Sequence, residues 1–310
     1  MHADTFPKVS VLVATYNQEK FVRQALDSVF MQKTGFEFEV IIADDYSQDG
    51  TLRIAREYET AYPNVRILPT ETHLGITRNF QRGFVACRGE YIAILEGDDY
   101  WISPTKLSSL SACLDQHPEC AFCFHRVFRH DEISISTAAF PAFEVGNEFQ
   151  SFTARELVQE NFVGGFSTCV HRRELIARLD PRIWQLKVRE WPFNIVVAQQ
   201  GPVGYLPQIM SVYRVHPNGI WSLKTPEEHF AQFSEIIDPY NAFLDFKYDA
   251  EFQGFKRKYR QALKQRKKQK RRANSMSRPN SGGSRLRSWV KPFMPPILIS
   301  VARRLFIRAD

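Results

Sequence analysis

Residues 9 to 95 alternate between two hydrophobic periods. Val9-Ser-Val-Leu-Val-Ala is a short β-branched run closed by the turn residues Tyr16-Asn17, the pattern of a buried strand. From 19 to 31, Phe21, Val22, Ala25, Leu26, Val29 and Phe30 recur at helical spacing. The same alternation then repeats: a strand over Phe38 to Ala43 running into Asp44-Asp45, and a helix from about Thr51. A strand over Val65 to Leu68, a helix over about Ile76 to Cys87 and a strand over Tyr91 to Leu95 follow. This βαβαβαβ order predicts an α/β fold with a mostly parallel central sheet flanked by helices. Ligands of such open sheets bind beyond the carboxyl ends of the strands. The polar clusters fall there: Thr15-Tyr16-Asn17, Asp44-Asp45 and Glu96-Gly97-Asp98-Asp99.

Composition divides the chain. Its 310 residues are 44% apolar and carry a net charge of +7. From Phe255 onward there are 18 Lys and Arg against one acid, a net of +17; residues 1 to 254 carry 23 bases and 33 acids, a net of −10. Only the tail therefore asks for a polyanion. The five cysteines are odd in number and lie in apolar surroundings, and the N-terminus lacks an apolar leader, so a reducing cytosol is expected. Cys120 and Cys123 have C-x-x-C spacing, but within CAFCF they read as buried strand residues rather than a zinc or redox pair. No run of 18 uncharged apolar residues exists to span a membrane.

The first strand is followed by TYNQEK, with neither G-x-G-x-x-G nor G-x-x-x-x-G-K-[ST]. Hydride transfer and P-loop hydrolysis are thereby disfavoured, and so is nucleotidyl transfer. Acids at strand ends hold a nucleotide differently, by accepting hydrogen bonds from a base or ribose and by sharing a divalent ion with a diphosphate. Asp98-Asp99 is the candidate for Mg²⁺ or Mn²⁺; its plain alternative is an Asx turn or helix N-cap. The run Ser47 to Thr51 equally suits a helix cap.

Taken together, VSVLVATYNQEKFVRQALDSV, VIIADDYSQDGT, LGITRNFQRGF, GEYIAILEGDDYW and VGYLPQIMSVYRVHPNGIWS, spread over roughly residues 8 to 220, resemble the family 2 glycosyltransferases. The resemblance implies a GT-A nucleotide-sugar-binding fold and inverting, metal-dependent transfer from a nucleotide diphosphate-sugar to a hydroxyl of a glycan or lipid-linked acceptor in cell-surface polysaccharide synthesis. Carried over by position, it implies that Thr15, Tyr16 and Asn17 line the nucleotide, Asp45 hydrogen-bonds the base, and Arg78 lies near the sugar or diphosphate. Asp98 is then the acid near ribose and metal, Asp99 the metal ligand, and Arg214 and His216 of Tyr-Arg-x-His meet diphosphate and metal. Glu96 is a further candidate carboxylate. Members usually carry Glu-Asp at a helix start with the Asp as base; here Arg189-Glu190 stands in that place, making Glu190 the base and leaving an Arg189–Glu190 surface pair as the alternative. Asn161 to Thr168 resembles the acceptor border. Trp101 and Trp191 suit either sugar stacking or the core.

The expected organisation is a GT-A domain over 1–254, with a nucleotide half at about 8–100, an acceptor half at about 101–225 and a helical extension at about 226–254. A basic helix and linker over 255–284 and an amphipathic segment over 285–310 follow. Lys256 to Arg272 shows almost no apolar face, and Ile297 to Arg308 is too short to span but suits an interface. Peripheral attachment of a cytoplasmic enzyme to the anionic inner leaflet is expected, with no nucleic-acid partner. A catalytically silent nucleotide-sugar-binding or scaffold protein, or a nucleotidyltransferase, is the rival expectation.

Overall fold

The computed structural model describes residues 6–142, 148–219 and 224–276, with side chains through Gln269. The nucleotide half is β1 (Val9–Thr15), α1 (Val22–Phe30), β2 (Phe38–Asp44), α2 (Thr51–Ala61), β3 (Val65–Ile67), α3 (Ile76–Ala86) and β4 (Tyr91–Glu96). Beyond it lie β5 (Tyr100–Trp101), α4 (Lys106–Gln116), β6 (Phe122–Asp131), β7 (Ser136–Phe140), β8 (Gln150–Phe152), α5 (Ala154–Gln159), β9 (Cys169–Arg172) and α6 (Arg173–Ala177). The order closes with α7 (Glu190–Val197), β10 (Val203–Val215), α8 (Pro226–Phe243) and α9 (Asp249–Met276).

One sheet carries these strands in the order β3-β2-β1-β4-β9-β6-β10-β5, with β7 on β6 and β8 on β10. Its first four strands are parallel. β9 then enters antiparallel between β4 and β6, so the acceptor half is mixed. The apolar strands face two cores, as the period of two requires. Val9, Val11, Val13, Val40 and Ile42 pack under α1, α2 and α4, whereas Leu12, Ile41, Ile92 and Ile94 join Phe80, Phe84 and Trp191 on the other face. A strand covered on both faces has no polar side left to alternate, hence the continuous runs in the sequence.

Residue 254 bounds a charge, not a folding unit. α9 starts at Asp249 and runs unbroken through the expected boundary. Phe252, Phe255 and Tyr259 are at most 2% exposed. Phe255 lies 4.5 Å from the Trp191 ring, centroid to centroid. The apolar positions 252, 255, 259 and 263 form a single-file stripe among eleven bases between Lys256 and Arg272, which is why the segment reads as having no apolar face. Trp101 and Trp191 are each 1% exposed and belong to the core rather than to a sugar platform. The linker beyond Met276 and the 285–310 segment lie outside the described residues, as do Ile220 to Ser222 at the end of the last family motif.

β4 approaches β1 closely at its start. The amides of Arg88 and Gly89 donate to Ser10 Oγ, at 3.0 and 2.8 Å. A Cβ at Gly89 would stand 2.4 Å from the Ser10 backbone nitrogen, which cannot move aside. Gly89→Ala is therefore expected to destabilise by about 1–3 kcal/mol, read as a fall of several degrees in Tm.

Candidate active site

The crevice opens where β1, β2 and β4 end. Its floor is laced across loops: Thr15 Oγ1 donates to Asp44 at 2.9 Å, and the Ser47 amide and hydroxyl donate to the same carboxylate. Asn17 turns through a left-handed φ of 52°, a conformation that asparagine tolerates better than most residues. Its side-chain oxygen accepts from the Gln48 amide at 2.8 Å. Both are thus loop-fixing residues. Tyr16 is 42% exposed and stacks on His73 at 4.3 Å, leaving an aromatic ledge beside the crevice. Asp45 is buried, and its carboxylate accepts from the Leu74 and Gly75 amides at 2.7 and 2.9 Å, with His73 Nδ1 at 3.0 Å. Its carboxylate secures the entry to α3. Arg78 is exposed on α3 and does not line the cleft; the inward arginine of that helix is Arg82, which donates to the carbonyls of Asp44 and Pro69.

A cleft of about 550 Å³, counting space open to solvent, lies between the end of β4 and the start of α7. Glu96, Asp98, Arg189, Glu190 and Arg214 line it. Asp99 sits just behind, 1% exposed. No helix follows Asp98-Asp99, so they do not form an N-cap; the Asp99 amide closes a turn onto the Glu96 carbonyl at 2.9 Å, and β5 comes next.

Arg214 builds this turn. Its amide donates to Asp99 Oδ1 at 2.9 Å and its Nε to the Asp98 carbonyl at 2.9 Å. Its other nitrogens reach Glu132 and Gln24, at 2.9 and 2.6 Å, and the guanidinium lies between the rings of Phe21 and Tyr100 at 4.8 and 4.9 Å. So engaged, Arg214 is a clamp for the acids rather than a free diphosphate ligand. Likewise His216 is buried with Nε2 3.1 Å from Asp98 Oδ2. It holds that carboxylate.

Burial, then the Asp98 charge, pushes Asp99 up to about 8. Burial and the charges of Asp99, Asp98 and Glu190 raise Glu96 well above its ordinary value. Burial also raises Glu190, with Arg189 opposing. Glu190 is the first residue of α7. Among the described residues no ion pair joins it to Arg189, whose guanidinium donates instead to the Val188 carbonyl at 3.0 Å, so the surface-pair alternative fails.

Asp99 Oδ2 is buried without a hydrogen-bond partner. A carboxylate oxygen left bare beside a second carboxylate suits a hard cation, which commonly takes one or two protein carboxylates and completes its shell from substrate phosphates. Among the described residues no cluster of three or more His, Cys, Asp or Glu is arranged to hold a metal unaided. Cys120 and Cys123 are buried, and Cys123 Sγ lies 2.8 Å from Cys113 Sγ. Sequence reasoning missed His73 and the buried Lys106, and it placed Ser167 in the acceptor border rather than against the Glu96 amide. Ser167 Oγ accepts from the Glu96 amide at 3.0 Å and its carbonyl accepts from Lys106 Nζ at 2.5 Å. A lysine at the start of a helix carries no signal that it turns inward.

A family model described as Glycosyl transferase family 2 matches residues 10–179, more than half the chain, and the chain belongs to that family. An uncharacterized protein of Mycobacterium tuberculosis (strain ATCC 25618 / H37Rv) is 39% identical over 221 residues, 69% of this chain and 60% of that protein. The chain thus spans about 60% of the length of its mycobacterial relatives. Staphylococcus aureus TarS 1–349 in complex with UDP-GlcNAc superimposes with a TM-score of 0.56 at 21% identity, covering 74% of this chain and 65% of that one. The mannosyltransferase PcManGT from Pyrobaculum calidifontis, in complex with GDP-Man and Mn²⁺, gives 0.54 at 17%, covering 81% and 74%. The fold is theirs: a mixed α/β sheet flanked by helices, of GT-A type.

Asp99 and Glu96 keep protons in the fold over a pH range where the unfolded chain has released them. Their raised values therefore cost stability as pH rises from the ordinary carboxylate range towards 8. Asp99→Asn should raise the Tm of the metal-free protein at pH 8, and the gain should shrink to little near pH 4, as followed by differential scanning calorimetry.

Proposed function

We propose that the cleft transfers a sugar, with inversion, from a nucleotide diphosphate-sugar to an acceptor hydroxyl of a glycan or lipid-linked saccharide in cell-surface polysaccharide synthesis. The observation that carries this reading is the opposition of two acidic groups across one cleft, Glu96-Asp98-Asp99 at the end of β4 and Glu190 at the start of α7. Asp98 and Asp99 would hold Mg²⁺ or Mn²⁺ against the donor diphosphate, and the ion supplies neutralisation of the leaving charge. His216 and Arg214 keep those carboxylates in place. Tyr16 and His73 offer the base a stacking ledge, beside Thr15, Asn17 and Asp45.

Glu190 accepts the proton of the attacking hydroxyl. The new bond forms from that oxygen to the anomeric carbon as its bond to the diphosphate oxygen breaks, and the nucleoside diphosphate leaves. A carboxylate raised by burial is better matched to this task near neutral pH than a solvated one. UDP-GlcNAc in one structural neighbour and GDP-Man in another support a nucleotide-sugar donor. Among the described residues no helix is long and apolar enough to cross a membrane. The basic C-terminal region supports peripheral attachment at the cytoplasmic face of an anionic membrane.

A nucleotide-sugar panel assayed with Mn²⁺ tests the reading. One donor should be hydrolysed slowly and raise the Tm. Asp99→Ala should abolish turnover, and Glu190→Gln should lower kcat by about 10²–10⁴-fold while leaving the donor-induced Tm shift intact. Binding of a donor with no turnover under any condition would favour the silent binder, which Arg189 in place of an acid keeps as the rival.

A further inference from the structure

α9 has two unlike faces. Phe252, Phe255, Tyr259 and the partly buried Leu263 point into the core. Opposite them, Arg257, Gln261, Lys264 and Lys268 recur at steps of four, three and four, which places all four on one exposed stripe. Lys258 and Arg260 flank it, also exposed. No acid follows Glu251 anywhere in the 28-residue helix. Lys256, paired with Asp238, and Lys267, paired with Glu227, lie off the stripe. A row of cations with no acid beyond the first turn of its helix is complementary to an extended anionic plane. At about 1.5 Å per residue the helix is roughly 40 Å long.

The helix is also joined to the catalytic wall. Its buried stripe grips Trp191, with Phe255 at 4.5 Å and Phe252 at 6.3 Å, and Trp191 follows Glu190. Trp191 Nε1 in turn donates to the Leu157 carbonyl of α5 at 2.6 Å, and α5 also packs on α9. α7, α5 and α9 are thus one packed unit.

We propose that the Arg257–Lys264–Lys268 stripe of α9 is the surface on which this protein docks to a bilayer of acidic phospholipid, and that it fixes the acceptor wall relative to that bilayer. The inference rests on the cleft between β4 and α7 being the transfer site. It makes the basic helix a rigid face of the enzyme rather than a tether. A membrane-borne acceptor then meets Glu190 through a wall seated on the bilayer.

Flotation of the full chain with phosphatidylglycerol vesicles, and separately with phosphatidylcholine vesicles, tests the surface without any turnover. The protein should float with the first and not the second. Arg257→Gln/Lys264→Gln/Lys268→Gln should weaken partitioning about 100-fold. The charge-conserving set Arg257→Lys/Lys264→Arg/Lys268→Arg should bind as the wild type does. The neutralised protein should keep the wild-type Tm and, free of vesicles, its donor hydrolysis. Unchanged partitioning of the neutralised variant would overturn the proposal, as would binding of single-stranded RNA in preference to acidic vesicles. Because flotation reads no chemistry, failure of the transferase reading would appear in the donor assay alone.

Discussion

Three carboxylates fall within four residues where β4 ends, and keeping them together against their own repulsion and desolvation is the constraint around which this structure is arranged. Like charges brought out of water favour protonation or escape to solvent. The chain prevents escape by hydrogen-bonding the acids from β10, on the far side of the sheet: the Arg214 amide to Asp99, its guanidinium to the Asp98 carbonyl, and His216 to the Asp98 carboxylate. Ser167, reached from another segment, fixes the Glu96 amide. The end of β4 and the end of β10 are thereby tied at one turn, and one Asp99 oxygen stays buried without a hydrogen-bond partner. Stability lost at this turn is the usual mark of a site preorganised for charge it has yet to receive.

The nucleotide half was readable because its strands are covered on both faces and its helices on one, so each leaves a distinct period. The strand ends fell within a residue of expectation: β1, β2 and β4 each extend one residue further, onto Thr15, Asp44 and Glu96. Side-chain roles were less legible. Asn17 and Asp45 stand at strand ends that the family resemblance assigns to the nucleotide, yet their hydrogen bonds close loops. Sequence position locates a polar residue near a site without saying whether backbone amides claim it first. Arg214 is the clearest case, since every partner of its guanidinium lies more than 80 residues away in the chain.

The acceptor half was harder to read because its order depends on contacts between distant segments. β9 inserts antiparallel between β4 and β6, a placement no local pattern announces. The same holds for α9, whose apolar stripe is one residue wide and outnumbered by bases. A helix that buries so narrow a stripe is held in place by its aromatic contacts with Trp191 of α7 and Phe233 of α8.

That dependence links charge to chemistry. Splitting the net charge at Phe255 separates an acidic body from a basic end, but the fold places Phe255 itself in the core beside the helix that begins with Glu190. The basic face cannot shift far without disturbing Trp191, and Trp191 cannot shift without moving the first turn of α7. Carboxylates line the cleft at one part of this unit, while on α9 a row of cations faces outward. The two charges are opposite in sign and sit on different elements of one packed unit, which is how a chain of modest net charge presents an acidic cleft and a basic face without their neutralising each other.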